Sequence, residues 1–350
     1  MKLIQALPPG PLDIVGDIHG EIGALQDLLR HLGYDETGNH PDGRTLVFVG
    51  DFCDRGPDSP AVLAIVQRLV EAGRAYAVLG NHEMNFLRGE AKDGSGWYSD
   101  ARVERDDKKY APYQRVAKQD KHAFFAFLST LPIALERADL RVIHAAWMEE
   151  EIAMIRPLSV SESLPGYAKW DAEAERKAAT LKPRMADELA DWGHDLEDRE
   201  VEPPFMHAHA EHDAIKQMTN PFKVLTSGVE RKGEKIFYAS GKWRFVERVA
   251  WWDEYEGSIP VVVGHYWRRA VEIDRQKVGK GDPDLFDGLD PRSWHGKGKV
   301  FCVDFSVGGR WVARKGHGAL QDFKLAALQW PERTLRFDDG SVWDTTGFMP

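Results

Sequence analysis

The chain has 350 residues, 46 Lys plus Arg and 56 Asp plus Glu, for a net charge of −10. That acidity argues against general nucleic-acid binding or attachment to an anionic membrane, since both call for clustered Lys and Arg. Two cysteines, Cys53 and Cys302, make no disulfide framework and fit a reducing compartment. With no basic-then-apolar leader over Met1 to Gly16 and no apolar run of bilayer length, the expected location is cytoplasmic.

Leu12 to Val15 reads as a buried strand running into Gly16-Asp17. A helical pattern follows, with Ile22, Leu25, Leu29 and Leu32 on one face and Gly33 as the stop. Thr45 to Val49 is a second strand, again ending in Gly-Asp. Ser59 is the expected N-cap of a helix with Pro60 at its first position and Val62, Val66, Leu69 and Val70 as its apolar face. Ala75 to Leu79 is a third strand, ending in Gly80-Asn81. This alternation predicts βαβ units and a mostly parallel sheet, with a polar residue delivered at the C-terminal end of each strand. Ala91 to Asp120 reads as a loop-rich excursion, and the charged run Arg102 to Lys109 inside it as a solvated surface. His122 to Leu131 is predicted helical, and Leu140 to Ile143 is a strand ending at His144. Residues 150–215 carry helical patterning, including Met185, Leu189 and Trp192 at i, i+4, i+7. Residues 220–255 are rich in aromatics and β-formers. Ile259 to Val263 is a strand ending at Gly264-His265, and Lys299 to Phe305, Arg310 to Ala313 and Phe323 to Leu328 read as later strands.

Four segments share one layout, in which metal-ligand residue types follow a glycine: Gly16-Asp17-Ile18-His19-Gly20, Gly50-Asp51-Phe52-Cys53-Asp54-Arg55-Gly56, Gly80-Asn81-His82-Glu83 and Gly264-His265. His144 ends a strand without the glycine. Carboxylate, imidazole and amide oxygen together suit hard to borderline divalent ions rather than a thiolate site. The patterns GDxHG, GDxxDRG and GNHE, in that order, resemble the calcineurin-like metallophosphoesterases of the phosphoprotein-phosphatase type. The tail, with Val303-Asp304-Phe305, Gly308-Gly309 and Leu325 to Glu332, resembles their bacterial branch, which includes diadenosine tetraphosphatases, PrpE-type phosphatases and the phosphatase module of RNA-repair proteins.

The resemblance implies an α/β fold, a four-layer α/β/β/α sandwich, forming one catalytic domain over residues 1–350; the helical patterning at about 150–215, which the resemblance does not cover, reads as a cap inserted in it. It implies that Asp17, His19 and Asp51 hold one metal. Asp51 would bridge to a second, held also by Asn81, His144 and His265, with a shared water or hydroxide as nucleophile. His82 would be the general acid, Asp54 its orienting partner and Arg55 the phosphate clamp. Two divalent ions per chain are expected, manganese first, with iron, zinc, cobalt, nickel or magnesium as alternatives. Where the family commonly has His-Ala-Gly, this chain has His144-Ala145-Ala146. A second phosphate-binding arginine has no motif to mark it, and Arg244, Arg248 and Arg268 are the candidates.

The expected substrate is a phosphomonoester or a nucleotide phosphoanhydride, carried by a phosphorylated small molecule, a nucleotide or a phosphoprotein. RNA-terminal phosphate is disfavoured by the net charge. A serine/threonine protein phosphatase is the rival within the class, and a non-catalytic phosphate-binding regulator the rival outside it. Cys53 reads as a small buried residue rather than a redox switch. His207, His209 and His212, with no flanking carboxylate arrangement evident, read as cap or loop surface rather than a further metal site.

Overall fold

The computed structural model describes residues 1–239, 241–275 and 281–350. Its strands, in chain order, are β1 (Ile4–Ala6), β2 (Leu12–Val15), β3 (Thr45–Phe48), β4 (Ala75–Ala77), β5 (Ala134–Arg137), β6 (Leu140–Ile143), β7 (Glu230–Ala239), β8 (Lys242–Arg248), β9 (Val261–Val263), β10 (Val300–Cys302), β11 (Ala326–Trp330), β12 (Thr334–Phe337) and β13 (Val342–Asp344). They form a six-stranded sheet in the order β13-β12-β11-β2-β3-β4, a five-stranded sheet in the order β1-β5-β6-β9-β10, and the separate hairpin β7-β8.

Alternation along the strands makes a sandwich of the two sheets. Ile14 and Val47 point inward from the first sheet and meet Val142, Val262 and Phe301 from the second. Their neighbours Val15, Phe48, Ile143 and Val263 point outward, into a core shared with Leu25, Leu28, Val62 and Val66 of the helices Ile22–Leu32 and Ser59–Glu71, and with Ile152 and Leu225 of the helices Glu149–Ile155 and Pro221–Ser227. Four layers result, α/β/β/α. The expected parallel order holds for β2, β3 and β4 and, in the second sheet, for the pairs β1-β5, β6-β9 and β9-β10; β11, β12 and β13 add on antiparallel beside β2, and β5 with β6 is antiparallel as well.

Several local expectations give way to tertiary context. The N-cap of the second helix is Asp58, whose side chain accepts the Ala61 N–H at 2.9 Å, while the Ser59 hydroxyl accepts the Asp54 N–H. Arg310 to Ala313 is no strand; Trp311–Arg314 is a single helical turn. The excursion at 91–120 contains the helix Val103–Tyr110. There Asp106 is buried, accepting the Gly96 N–H and pairing with Arg102, so the run 102–109 is not simply a solvated surface.

The helices Ser163–Ala178, Lys182–Trp192 and His207–Met218 stand over this sandwich. A small core of its own, with Met206, Ala210 and Phe245 buried and Leu189, Trp192 and Trp243 packed against them, joins the last two to the hairpin β7-β8, whereas Tyr167 of the first belongs to the main core. His209 is buried and lies 2.9 Å from Glu188, so it is not solvated surface and does have a carboxylate partner. His207 meets Lys232 and His212 meets Asp213, so the three rings do not converge. No described helix is long and apolar enough to cross a membrane.

Candidate metal centre

Because β2, β3 and β4 run parallel, Asp17, Asp51 and Asn81 leave the sheet at one edge. The same holds for β6 and β9, which deliver His144 and His265. Gly264 N–H donates to His144 O at 2.9 Å within the second sheet, and the two sheets meet where His265 N–H lies 3.0 and 3.2 Å from the two Asp17 oxygens. Glycine is required at the junction by space, since a Cβ on Gly264 would stand 2.0 Å from Asp17 Oδ1 and one on Gly80 2.2 Å from Asp51 Oδ1.

Asp51 sits at the middle. Its Oδ2 is 3.3 Å from His144 Nε2, 3.7 Å from His19 Nε2 and 3.8 Å from His82 Nε2. Asn81 Oδ1 lies 3.2 Å from His144 Nε2 and 2.9 Å from His265 Nδ1. Asp17 is a step further out, 4.0 Å from His19 Nε2. Two groups of donor atoms each lie within 4.8 Å, His19 with Asp51 and His82, and Asp51 with His144 and His265. All six predicted ligands are therefore in one place, and His82 crowds the first group where the sequence had put Asp17.

The rings are aimed by their outer nitrogens. His144 Nδ1 donates to Val49 O at 2.8 Å and His19 Nδ1 to Cys53 O at 3.1 Å, which turns each Nε2 toward Asp51. His82 Nδ1 is 2.5 Å from Asp54 Oδ2, and the other Asp54 oxygen accepts the Trp97 indole N–H at 2.5 Å. Arg55 reaches between them, with Nη1 2.9 Å from His19 Nε2 and Nη2 3.2 Å from His82 Nε2.

Electrostatics follow from this crowding. Burial, reinforced by Asp304 and Asp51, pushes the Asp17 carboxyl well above the usual carboxylate range. Burial and the Arg55 charge push the His19 imidazole down. Burial works against charge on Asp51, yet His144 and His82 outweigh it and hold its carboxyl well below the ordinary value. At His144 burial is again opposed, by Asp51, which lifts the ring to about 10. His82 is raised because Asp51 and Asp54 outweigh burial. Buried carboxylates packed together and facing fixed imidazole nitrogens make the donor set of a divalent cation site, and the oxygen and nitrogen donors suit the metals expected from the sequence. The nearby thiol does not join in: Cys53 Sγ turns to Glu83 at 3.3 Å, and burial with Asp54 and Glu83 drives its pKa up, against a redox role.

Sequence reasoning left three residues without a role. Glu83, fully buried, accepts the N–H groups of Asp51 at 2.7 Å, Phe52 at 2.8 Å and Gly80 at 3.1 Å. The signal was its place three residues after Gly80, the spacing of a capping box. Asp304 accepts the N–H groups of Trp267 and Ser306 at 2.9 and 2.8 Å, and a carboxylate in an apolar run was the clue. Trp97 had none. Of the three candidate arginines, Arg268 is buried elsewhere, its guanidinium on the carbonyls of Cys302, Asp290 and Ser293. Arg244 and Arg248 line a cavity together with Arg55.

A family model for calcineurin-like phosphoesterases matches residues 10–151. A bis(5'-nucleosyl)-tetraphosphatase PrpE [asymmetrical] from Oceanobacillus iheyensis is 34% identical over 138 residues, which is 38% of this chain and 54% of that protein. The protein of that name from Halalkalibacterium halodurans is 48% identical over 73 residues, 20% of this chain and 30% of its own length. The chain thus spans about half, or less, of the length of these relatives. Among solved structures, a protein serine/threonine phosphatase from Saccharomyces cerevisiae with similarity to human phosphatase PP5 aligns over 100% of this chain and 85% of its own at 13% identity, with a TM-score of 0.44.

Proposed function

We propose, from the premise that residues 10–151 make this chain a bacterial calcineurin-like phosphoesterase, that it hydrolyses a phosphomonoester or a nucleotide phosphoanhydride with two divalent metal ions. The observation that carries this is Asp51, one buried carboxylate with Nε2 atoms of three histidines 3.3 to 3.8 Å from its Oδ2. Asp17, His19 and Asp51 would hold one ion, and Asp51, Asn81, His144 and His265 the other. Bound there, the ions supply Lewis acidity toward water and toward the phosphoryl oxygens.

The remaining steps belong to the chain. Arg55 presents a planar fork of donors to the phosphoryl group, and in doing so leaves His19 and His82. His82, kept with its Nδ1–H on Asp54, offers Nε2 to the leaving oxygen and gives it a proton from there. Asp54 does not move; its second oxygen is fixed by Trp97. Manganese is the metal proposed for use, and the cytoplasm the location, where two buried free thiols suit a reducing medium. The helices between about 150 and 215 are proposed as a cap inserted in a single catalytic domain.

The test is turnover of p-nitrophenyl phosphate with added manganese, alongside metal analysis of the purified protein. Manganese-dependent release of phosphate is expected. Inactivity across several metals and several phosphate esters and anhydrides would leave the phosphate-binding regulator as the better reading.

A further inference from the structure

Beside Arg55 lies a cavity of about 210 Å³, with the sandwich loops on one side and the hairpin β7-β8 on the other. The same guanidinium that forms its wall touches His19 and His82, so the cavity opens onto the candidate centre. We propose that this cavity is the subsite for the part of the substrate that is not attacked, and that it takes the base and remaining phosphates of a nucleoside polyphosphate. The inference rests on the hydrolase reading and deepens it.

Charge is the first argument. Arg244 and Arg248 project from β8 into the cavity beyond Arg55. Three carboxylates share this lining, but Asp93 is paired with Arg102 and Lys109 and Asp282 with Arg275, which leaves Glu230, opposite Arg248 across the hairpin, to offset two arginines; no described carboxylate closes an ion pair with either, and Arg244 Nε has the Ala239 carbonyl at 3.4 Å. Burial pushes the Arg244 pKa down, so its charge is desolvated without a full counter-charge. A substrate with one phosphate engages Arg55 and leaves these two unused. A chain of phosphates engages all three.

Shape and ring chemistry are the second. Trp267, Trp311, Tyr110 and Phe237 line the same cavity. Trp267 is held there by a left-handed backbone, φ 48°, with its N–H on Asp304. The Arg55 guanidinium lies 5.6 Å from the Trp267 ring centroid, so a phosphate on Arg55 has indole surface within reach of its substituent. The volume is below the roughly 300–1,000 Å³ of pockets that enclose drug-sized ligands. It admits one flat ring system.

The experiment compares kcat/KM on diadenosine tetraphosphate with kcat/KM on inorganic tripolyphosphate, which has the charges but no base, in the manganese-loaded protein and in Trp311→Ala, Trp311→Phe and Arg244→Gln. Equilibrium binding of ADP to each protein supplies a readout without turnover. Trp311→Ala should lower the dinucleotide-to-tripolyphosphate ratio about 10-fold or more, from the usual worth of one base stack, and Trp311→Phe should restore most of it. Arg244→Gln, on the hairpin and outside the main core, should weaken ADP binding about 10-fold, and it carries the test if Trp311→Ala fails to fold. An unchanged ratio and unchanged ADP affinity, with both substrates still hydrolysed, would overturn the subsite. So would a Trp311→Ala loss larger on a phosphotyrosine peptide than on the dinucleotide, which would make the occupant an aryl phosphate. Failure of every substrate to turn over, with ADP still bound through Trp311 and Arg244, would count against the hydrolase reading alone.

Discussion

Glu83→Gln is the substitution that separates geometry from chemistry at this centre. The Glu83 carboxylate bonds the backbone of the motif loops, including that of Asp51, and accepts hydrogen bonds on both oxygens. Oε2 takes the N–H groups of Asp51 and Gly80, and Oε1 takes that of Phe52 and the Cys53 thiol. Glutamine fills the same space but brings an NH2 group. Placed at Oε2 it confronts two backbone N–H groups; flipped, it confronts one N–H and the thiol. Each orphaned buried donor costs about 1–3 kcal/mol, and the surviving bonds lose their charge assistance. The expected loss of folding stability is about 2–4 kcal/mol, read as a lower urea midpoint. Asp51 has φ 53° and depends on the Glu83 bond to keep it there, so manganese content and turnover should fall together although no ligand has changed. A Glu83→Gln protein within about 0.5 kcal/mol of wild type, carrying a full metal complement, would refute the reasoning.

His82→Ala should lower kcat roughly 10²–10⁴-fold while metal content stays near the wild-type level, and metal loss on analysis would make His82 a ligand instead. Asp51→Asn should weaken both ions at once in metal titrations, because one carboxylate faces both donor groups; retention of one ion at full affinity would remove the bridging role. His295, beside Trp252 and Phe286, is buried and pushed down to about 3 by desolvation and the Arg268 charge. Its neutral form therefore supports folding above about pH 6.5, and that support is lost progressively as pH falls toward 3, by about 2 kcal/mol at pH 5. Urea unfolding of His295→Gln at pH 7 and pH 5 should show a correspondingly smaller acid loss than wild type, and equal losses would show that His295 does not protonate on unfolding.

The centre was legible because its chemistry sits at strand ends. An apolar run followed by Gly-Asp, Gly-Asn or Gly-His states both where the backbone turns and which donor it delivers. Assigning residues as distant as Asp17 and His265 to one site took, in addition, the resemblance of these motifs to the calcineurin-like metallophosphoesterases. What was not legible depends on contacts between segments. Trp311 to Arg314 is too short for its apolar residues to tell a helical turn from a strand. Asp106 looks like a surface charge until Gly96 and Arg102 are seen to satisfy it. Arg268 is an arginine in an apolar interior, satisfied by three carbonyls and facing the rings of Phe301 and Phe305, and no local pattern announces that.

The same division explains how the centre keeps its shape. Of the nine described non-glycine residues with positive φ, six are His19, Asp51, Asp54, Arg55, His265 and Trp267, all in the motif loops. Each such residue costs roughly 1–2 kcal/mol, so the loops would relax unless something held them. The holding groups come from other segments of the chain. Glu83 of the third loop fixes Asp51 of the second, Ser59 fixes Asp54, the Gly94 carbonyl accepts the Arg55 N–H, and Asp304 of the tail fixes Trp267. Loop strain and loop anchoring are therefore shared across the whole site. A ligand substitution should act locally on metal or substrate, whereas an anchor substitution should act on several site residues together.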